Sequence, residues 1–181
     1  MLFEEMAAAV VAHRPRSVAV IGCAGGNGFD LLTSPGLERV VGIDINPAFI
    51  EVTRARYHEA IKGLELHVAD IAADLAGVVP VDLIFAGLVL EYVEIGRAMG
   101  SLRTLCREGG AMVVVLQQPG AGVPPVSPSP YQSLRSLGGS MQLLDPRLVT
   151  RCAESAGFQC LGQRNRVLPS GKEFAVVSFR S

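Results

Sequence analysis

The chain has 181 residues, a length that fits one domain able to bury about two thirds of its unfolded surface. Its 16 Lys and Arg nearly balance its 17 Asp and Glu, so the formal net charge is −1. This balance gives no electrostatic case for nucleic acid or an anionic membrane as a partner, although it is compatible with a local basic patch. The most apolar runs, 81–90 and 111–116, are far shorter than the ~18–20 residues of a membrane-spanning helix.

Short β-branched runs alternate with helical stretches over most of the chain. Residues 2–12 predict an amphipathic first helix rather than a signal peptide, because Glu4 and Glu5 interrupt them and no basic segment precedes them. The alternation then predicts strands at 17–22, 40–45, 64–69, 81–88 and 111–116, with helices at 27–37, 47–61 and 94–107. Such alternation is typical of a parallel, doubly wound sheet.

The composition changes after the fifth predicted strand. Residues 117–144 are rich in proline and glycine, which predicts a loop insertion on the substrate side of the sheet. Asp145 and Pro146 then predict the cap and first turn of another helix. Strands at 158–165 and 173–180 follow and are expected to pair as an antiparallel hairpin.

These patterns predict one Rossmann-like α/β domain over residues 1–181. The sheet is expected to be seven-stranded and mostly parallel, with a C-terminal antiparallel hairpin and helices on both faces. The cysteines show no metal-ligand spacing, so we expect free thiols and a reducing, cytoplasmic location; they are Cys23, Cys106, Cys152 and Cys160.

The first predicted strand runs directly into a glycine-rich turn of sequence GCAGGNG, residues 22–28. Gly22 and Gly26 remove side chains where the backbone turns sharply and a ligand approaches closely. The helix predicted after the turn would point free N–H groups at that ligand. Such a turn is typical of nucleotide or nucleoside sites, although a tight strand–helix connection in an ordinary α/β domain is the alternative.

Acidic residues end the next two predicted strands. Asp44 lies 22 residues after Gly22, where a carboxylate can accept both hydroxyls of a ribose. Asp70 ends the third strand, along the same edge of the sheet. Either residue alone could instead cap a helix, but together, after the glycine turn, they favour ligand contact.

In this order the motifs resemble those of class I S-adenosylmethionine-dependent methyltransferases. The first to fourth motifs of that family are matched by VAVIGCAGGNGFD, GIDINPAFI, HVADI and VDLIFAGLVLEYV. LRTLCREGGAMVVV is similar to its following helix and strand, and ESAGF with EFAVVSFR to its last helix and hairpin. The resemblance spans residues 17–180 and implies S-adenosylmethionine as the cofactor.

The resemblance also implies cofactor contacts at the matched positions. These are the backbone of Gly22, Cys23, Ala24 and Gly26 for the methionine portion, Asp44 for the ribose, Ile45 packing on adenine, Asp70 and the amide of Ile71 for the adenine edge, and Ala86 beneath the methionine and sulfonium. One position departs from the family, which often has an acidic residue two places before the first glycine, where this chain has Val20.

Two other functions stay open. A non-catalytic module that binds S-adenosylmethionine or S-adenosylhomocysteine would fit Val20 and the absence of an evident base. An NAD-dependent oxidoreductase would place G-x-G-x-x-G on Gly22, Ala24 and Asn27, and Asn27 breaks that pattern.

Methyl transfer from a sulfonium depends mainly on orientation and exclusion of water, so a catalytic base is optional. Glu91 and Tyr92 follow the fourth strand and are the candidate catalytic residues. Glu91 would accept a proton or orient the acceptor; the alternative is a solvated carboxylate in the first turn of a helix. For Tyr92 the alternative to a catalytic role is a packing role.

The acceptor is expected to be a small molecule, because only about 16 residues precede the first strand and leave little to enclose a larger one. Tyr131 and Arg135 are notable side chains of the loop that we expect to select it. Neither nucleic acid nor a membrane is expected as a partner, and the sequence is compatible with a homodimer.

Overall fold

The computed structural model describes residues 1–73, 75, 77–119 and 141–181. In these ranges the strands are β1 (Ser17–Ile21), β2 (Arg39–Asp44), β3 (Leu64–Val68), β4 (Val81–Gly87), β5 (Cys106–Gln118), β6 (Gln159–Val167) and β7 (Glu173–Arg180). The α-helices are α1 (Leu2–His13), α2 (Pro47–Tyr57), α3 (Ile95–Leu105) and α4 (Pro146–Ser155), and short 3₁₀ helices span Phe29–Thr33 and Leu90–Tyr92.

All these strands form one sheet with the order β3-β2-β1-β4-β5-β7-β6. Strands β1 to β5 pair in parallel, whereas β7 pairs antiparallel with both β5 and β6. The predicted mostly parallel sheet with a C-terminal hairpin is confirmed. After β3 the chain returns to place β4 beside β1, so the strand order reverses there. At such a reversal, open α/β sheets usually bind ligands in a crevice outside the carboxyl ends of the two strands.

A hydrophobic core lies on each face of the sheet, because successive side chains of a strand point to opposite faces. Ile21 of β1 lies in the core that α3 and α4 cover, together with Met99 and Val149. Val20, the next residue back along β1, lies in the opposite core with Met6 of α1 and Ile50 of α2. The helices therefore cover both faces, as predicted.

The helix predicted at 27–37 is wrong in length and type, since only a 3₁₀ helix at Phe29–Thr33 forms there. Gly28 precedes it with φ of +92°, a left-handed conformation that an α-helix cannot include. Ser34 follows it in an extended conformation, as expected for a residue before proline. The residues between these two limits are too few for an α-helix of ordinary length.

The fifth strand is longer than predicted at both ends. Helix α3 ends at Leu105, and β5 begins at the next residue instead of after Gly110. A register irregularity between Val81 and Leu83 of β4 accommodates this start. At the other end Gln117 and Gln118, predicted in the loop, continue the strand because β7 pairs with them.

Helix α1 is tied to the strand at the edge of the sheet by buried charge. The side chain of Glu5 is 1% exposed and forms ion pairs with Arg164 and Arg166 of β6, the second with a 2.7 Å Nη1–Oε1 distance. Burial by itself raises the pKa of Glu5, but the hydrogen bonds and charges of the two arginines outweigh it and hold the pKa below its usual range. This ion-pair cluster fixes α1 against the sheet.

Glu5→Gln should lower the free energy of unfolding at pH 7 by roughly 1–3 kcal/mol, since it leaves two guanidinium groups without their buried acid. Because the folded pKa of Glu5 is depressed, its contribution is present above the ordinary carboxyl pKa and is lost as the pH falls through the folded value. Denaturant unfolding from pH 7 to about pH 3 should show the two proteins converging in stability. Glu4→Gln is the control: because Glu4 is exposed, its replacement should lower the free energy of unfolding by less. An equal loss of stability in both variants would contradict the special role of the buried Glu5.

Candidate active site

The glycine turn after β1 lies at the carboxyl ends of the central strands. Its backbone is left-handed at Gly22, Ala24 and Gly26, with φ of +65°, +47° and +76°. The amides of Gly22 and Cys23 both donate to the carbonyl of Ile43 on β2, at 2.9 and 3.1 Å. The turn is therefore attached to the neighbouring strand at its start.

Asp44, the last residue of β2, is held by two backbone amides. Its Oδ2 accepts a hydrogen bond from the Ala24 amide at 2.8 Å, and its Oδ1 accepts one from the Asn46 amide at 2.9 Å. The cap of α2 is Asn46 rather than Asp44, since the Asn46 side chain accepts from the Ala48 amide. Each carboxylate oxygen of the partly exposed Asp44 can still accept a further hydrogen bond from a ligand hydroxyl.

Helix α2 contacts the turn through residues that the sequence interpretation missed. The Thr53 hydroxyl donates to the carbonyl of Ala24 at 2.8 Å, and the Arg56 guanidinium donates to the carbonyl of Gly25. These residues share one helix face, three positions apart. In the sequence, these contacts are signalled only by a threonine and an arginine three positions apart in the helix predicted after Asp44.

Gly22 and Gly26 make room for side chains of the protein itself. A Cβ at Gly22 would lie 2.8 Å from Cγ2 of Val89, which follows β4, and a Cβ at Gly26 would lie 2.7 Å from the ring of Tyr57 on α2. The predicted sharp turn is therefore present at both glycines, and neighbouring side chains of the protein are a further reason for their lack of a side chain. Their backbone contacts with a cofactor stay a prediction.

The edge beyond Asp44 combines exposed aliphatic and acidic groups. Ile45 is 67% exposed directly after Asp44, and Val68 at the end of β3 is also exposed. Asp70 is exposed, and its Oδ1 accepts from the Ala72 amide at 2.9 Å. The side chain of Ile71 is buried in the core, so only its backbone can face a ligand.

The end of β4 presents backbone rather than side chain at the crevice. The methyl group of Ala86 is buried in the core, so the predicted contact of this residue beneath the sulfonium would need its main chain. Leu88 has a left-handed φ of +56°, and its amide donates to the carbonyl of Val115 on β5. Leu2 of α1 covers this strand end, since a Cβ at Gly87 would lie 2.9 Å from its Cδ2.

Glu91 is buried, which overturns the alternative of a solvated carboxylate in a helical first turn. Its side chain is 1% exposed, and Glu94 rather than Glu91 caps α3. Its Oε1 accepts from the Gln117 amide of β5 at 2.8 Å, whereas its Oε2 has no hydrogen-bond partner in the part of the chain that the structure describes. Burial raises the pKa of Glu91.

Three further residues complete the description of the site. Tyr92 is half-buried, and burial, followed by the charge of Glu91, raises the pKa of its hydroxyl. Burial, followed by the charge of Asp44, raises the pKa of Cys23 to about 12, so that thiol is neutral and unreactive near pH 7. Val20 lies in the core with residues of α1 and α2. Its aliphatic side chain offers the turn no carboxylate.

Part of the predicted substrate loop is not described by the structure. Tyr131 and Arg135 lie outside the described residues. Among the residues that are described, no helix is long and apolar enough to cross a membrane. In that same portion, His, Cys, Asp and Glu side chains do not gather in groups of three or more that could hold a metal ion.

Residues 19–114, more than half of the chain, match the family described as methyltransferase domain. The chain belongs to that family. Membership confirms the predicted enzyme class and, with it, S-adenosylmethionine as the cofactor of the family. No curated protein sequence matches the methyltransferase significantly.

Solved structures share its fold at low sequence identity. N-methyltransferase NodS from Bradyrhizobium japonicum WM9, in complex with S-adenosyl-L-homocysteine, is 17% identical with a TM-score of 0.75, over 99% of this chain and 85% of NodS. A putative sarcosine dimethylglycine methyltransferase from Galdieria sulphuraria is 13% identical with a TM-score of 0.72, over 99% and 83% of the two chains. The [4+2]-cyclase SpnF is 13% identical with a TM-score of 0.75, over 99% and 80%.

Gly26→Val should destabilise the methyltransferase itself, because the new side chain meets the Tyr57 ring and forces a β-branched residue into a left-handed conformation. We expect the free energy of unfolding in urea to fall by roughly 2–4 kcal/mol. Gly36→Val is the matched control, since a Cβ at Gly36 meets nothing within 4 Å. If Gly26→Val were as stable as the wild type, Tyr57 would not occupy the space beside the turn.

Proposed function

We propose that the protein transfers the methyl group of S-adenosylmethionine to a small-molecule acceptor in the cytoplasm. The observation that carries the proposal is the carboxylate of Asp44, which two backbone amides hold at the glycine turn while both oxygens keep accepting capacity. Family membership supports the reaction class. The position of the turn at the reversal of the strand order supports the location of the site.

The residues at this edge fit the cofactor. Asp44 would accept hydrogen bonds from the ribose hydroxyls. The exposed Ile45 would cover one face of the adenine, and this contact would remove its aliphatic side chain from water. Asp70 and the backbone of Ile71 would meet the adenine edge, and the backbone of Gly22, Cys23, Ala24 and Gly26 the methionine portion. When bound, the cofactor supplies a methyl group already activated by its sulfonium.

The acceptor would lie on the other side of the crevice, above β4 and β5. Leu2 of α1 lies against the end of β4 and limits the space there, which favours a small acceptor. Glu91 is proposed to orient that acceptor or to take its proton, because the buried Oε2 lacks a partner among the described residues and a donor group would complete it. The names of NodS and of the Galdieria protein suggest nitrogen acceptors for a first panel.

A second function is favoured by two observations. Val20 replaces the acidic residue frequent in the family, and SpnF, a cyclase by name, has the same fold. The protein could therefore bind the cofactor without transferring methyl groups, because one fold can carry different activities.

Calorimetry with S-adenosylmethionine, S-adenosylhomocysteine and NAD, followed by an assay for S-adenosylhomocysteine release, tests both functions. The proposal predicts binding of the first two ligands but not NAD, and turnover with a small amine, hydroxyl or thiol compound. Binding without turnover over a broad panel would favour the non-methylating function. Turnover only with an intact protein or tRNA would overturn the small-molecule acceptor.

Asp44→Ala should weaken the binding of S-adenosylmethionine by about 1–3 kcal/mol, because it removes charge-assisted hydrogen bonds to the ribose. Asp145→Ala is the control: Asp145 caps α4 by accepting from the Arg147 amide, so its loss should lower stability but not affinity. Unchanged calorimetric affinity of Asp44→Ala would exclude the ribose contact.

Glu91→Gln should lower kcat about 100-fold or more if Glu91 accepts the proton of the acceptor, with the affinity for S-adenosylhomocysteine unchanged. The amide preserves the shape and the bond to the Gln117 amide. Since a protonated Glu91 cannot act as base, wild-type kcat/KM should fall as the pH drops through a pKa above the usual carboxyl range. Glu91→Gln should lack that pH dependence. Glu94→Gln is the control and should retain wild-type kcat. An equal kcat in the wild type and both variants would exclude Glu91 as the base.

A further inference from the structure

Helix α2 presents three side chains to the glycine turn from a single face. Thr53, Arg56 and Tyr57 lie three and four positions apart, and each contacts the turn or the residues that follow it. The Arg56 guanidinium also stacks on the Tyr57 ring, with 4.9 Å from its Cζ to the ring centroid. The Tyr57 hydroxyl donates to Asp30 at 3.1 Å. The turn is therefore braced by the helix that follows the acidic strand end.

The peptide groups of Ala24 are held from two sides. The Ala24 amide donates to Asp44, and its carbonyl accepts from Thr53, both at 2.8 Å. Ala24 is a non-glycine residue with φ of +47°, a left-handed conformation that costs roughly 1–2 kcal/mol. Two side-chain hydrogen bonds hold this residue in a conformation that it does not favour on its own.

We infer that Thr53 is a positioning residue for the cofactor, acting through Ala24 on Asp44. Its hydroxyl holds Ala24 in the left-handed conformation, in which the Ala24 amide points at Asp44 and restrains the carboxylate that is proposed to bind the ribose. Without this hydroxyl the turn relaxes, and ligand binding has to restore it. The inference rests on the proposed function, since it assigns Thr53 to the same cofactor site.

A purely structural role is the competing explanation. Thr53 is fully buried, and its Oγ1 also lies 3.0 Å from the Phe49 carbonyl, the bond that threonine often makes within a helix. The hydroxyl has one proton and can donate fully to only one carbonyl at a time. The Ala24 carbonyl is the nearer acceptor at 2.8 Å. A structural role predicts lower stability alone, whereas a positioning role predicts weaker binding by the folded protein.

The test measures the Kd for S-adenosylhomocysteine by calorimetry and the stability by urea unfolding in three variants. Thr53→Val keeps the shape and removes the hydroxyl, and should raise Kd about five- to tenfold, the effect of one lost hydrogen bond. Thr53→Ser keeps the hydroxyl and should stay within about twofold of the wild type. Thr104→Val is a control on α3 at an exposed threonine, whose hydroxyl donates to the Ser101 carbonyl at 2.8 Å; its Kd should not change.

The route through Asp44 is tested by combining variants. In an Asp44→Ala background, Thr53→Val should change Kd by less than about twofold, because the carboxylate that Thr53 restrains is gone. Full additivity of the two effects would overturn that route. A wild-type Kd in Thr53→Val, with only a loss of stability, would overturn the inference while leaving the proposed function intact. If Thr53→Val does not fold, Thr53→Ala provides the same comparison, and a wild-type protein that fails to bind S-adenosylhomocysteine would overturn both proposals.

Discussion

The hydrogen bond between the Asp44 carboxylate and the Ala24 amide is the contact on which the proposed cofactor site depends. It joins the end of β2 to the turn after β1, and these two strands pair in parallel. Because the second oxygen of Asp44 is held by the Asn46 amide, the carboxylate has a defined orientation before any ligand arrives. A preorganised acceptor avoids the cost of ordering a free side chain on binding.

The strand order separates two kinds of surface along one edge. On the β1-β2-β3 side the edge of the sheet is polar at Asp44 and apolar at Ile45, which suits a nucleoside. On the β4-β5 side the buried Glu91 joins the two strand ends, because its carboxylate accepts from Gln117. The reversal of the strand order between β1 and β4 lies between these surfaces. In-line methyl transfer needs the acceptor atom close to the methyl group and opposite the sulfonium, so a donor on one surface and an acceptor on the other would meet there.

Packing within the protein accounts for two glycines of the turn as well as a ligand would. Gly22 and Gly26 lie against Val89 and Tyr57, so a substitution at either glycine would disturb the connection between the turn, β4 and α2. The turn is therefore shaped by the protein around it as much as by its own sequence. This is consistent with a site that is largely formed in the free protein, as small-molecule sites usually are.

The sequence by itself determined the class of fold and predicted the edge of the sheet at which we propose the cofactor site. Alternation of strand and helix patterns predicts a parallel sheet and places Asp44 and Asp70 at the carboxyl ends of two strands. Both predictions are possible because they need only the local periodicity of hydrophobic residues. Tertiary structure alone decided that Tyr57 lies against Gly26, that Thr53 reaches Ala24, and that Glu91 is buried rather than solvated. These contacts join residues 26 to 31 positions apart along the chain. No local periodicity encodes which side chain of one element meets which atom of another.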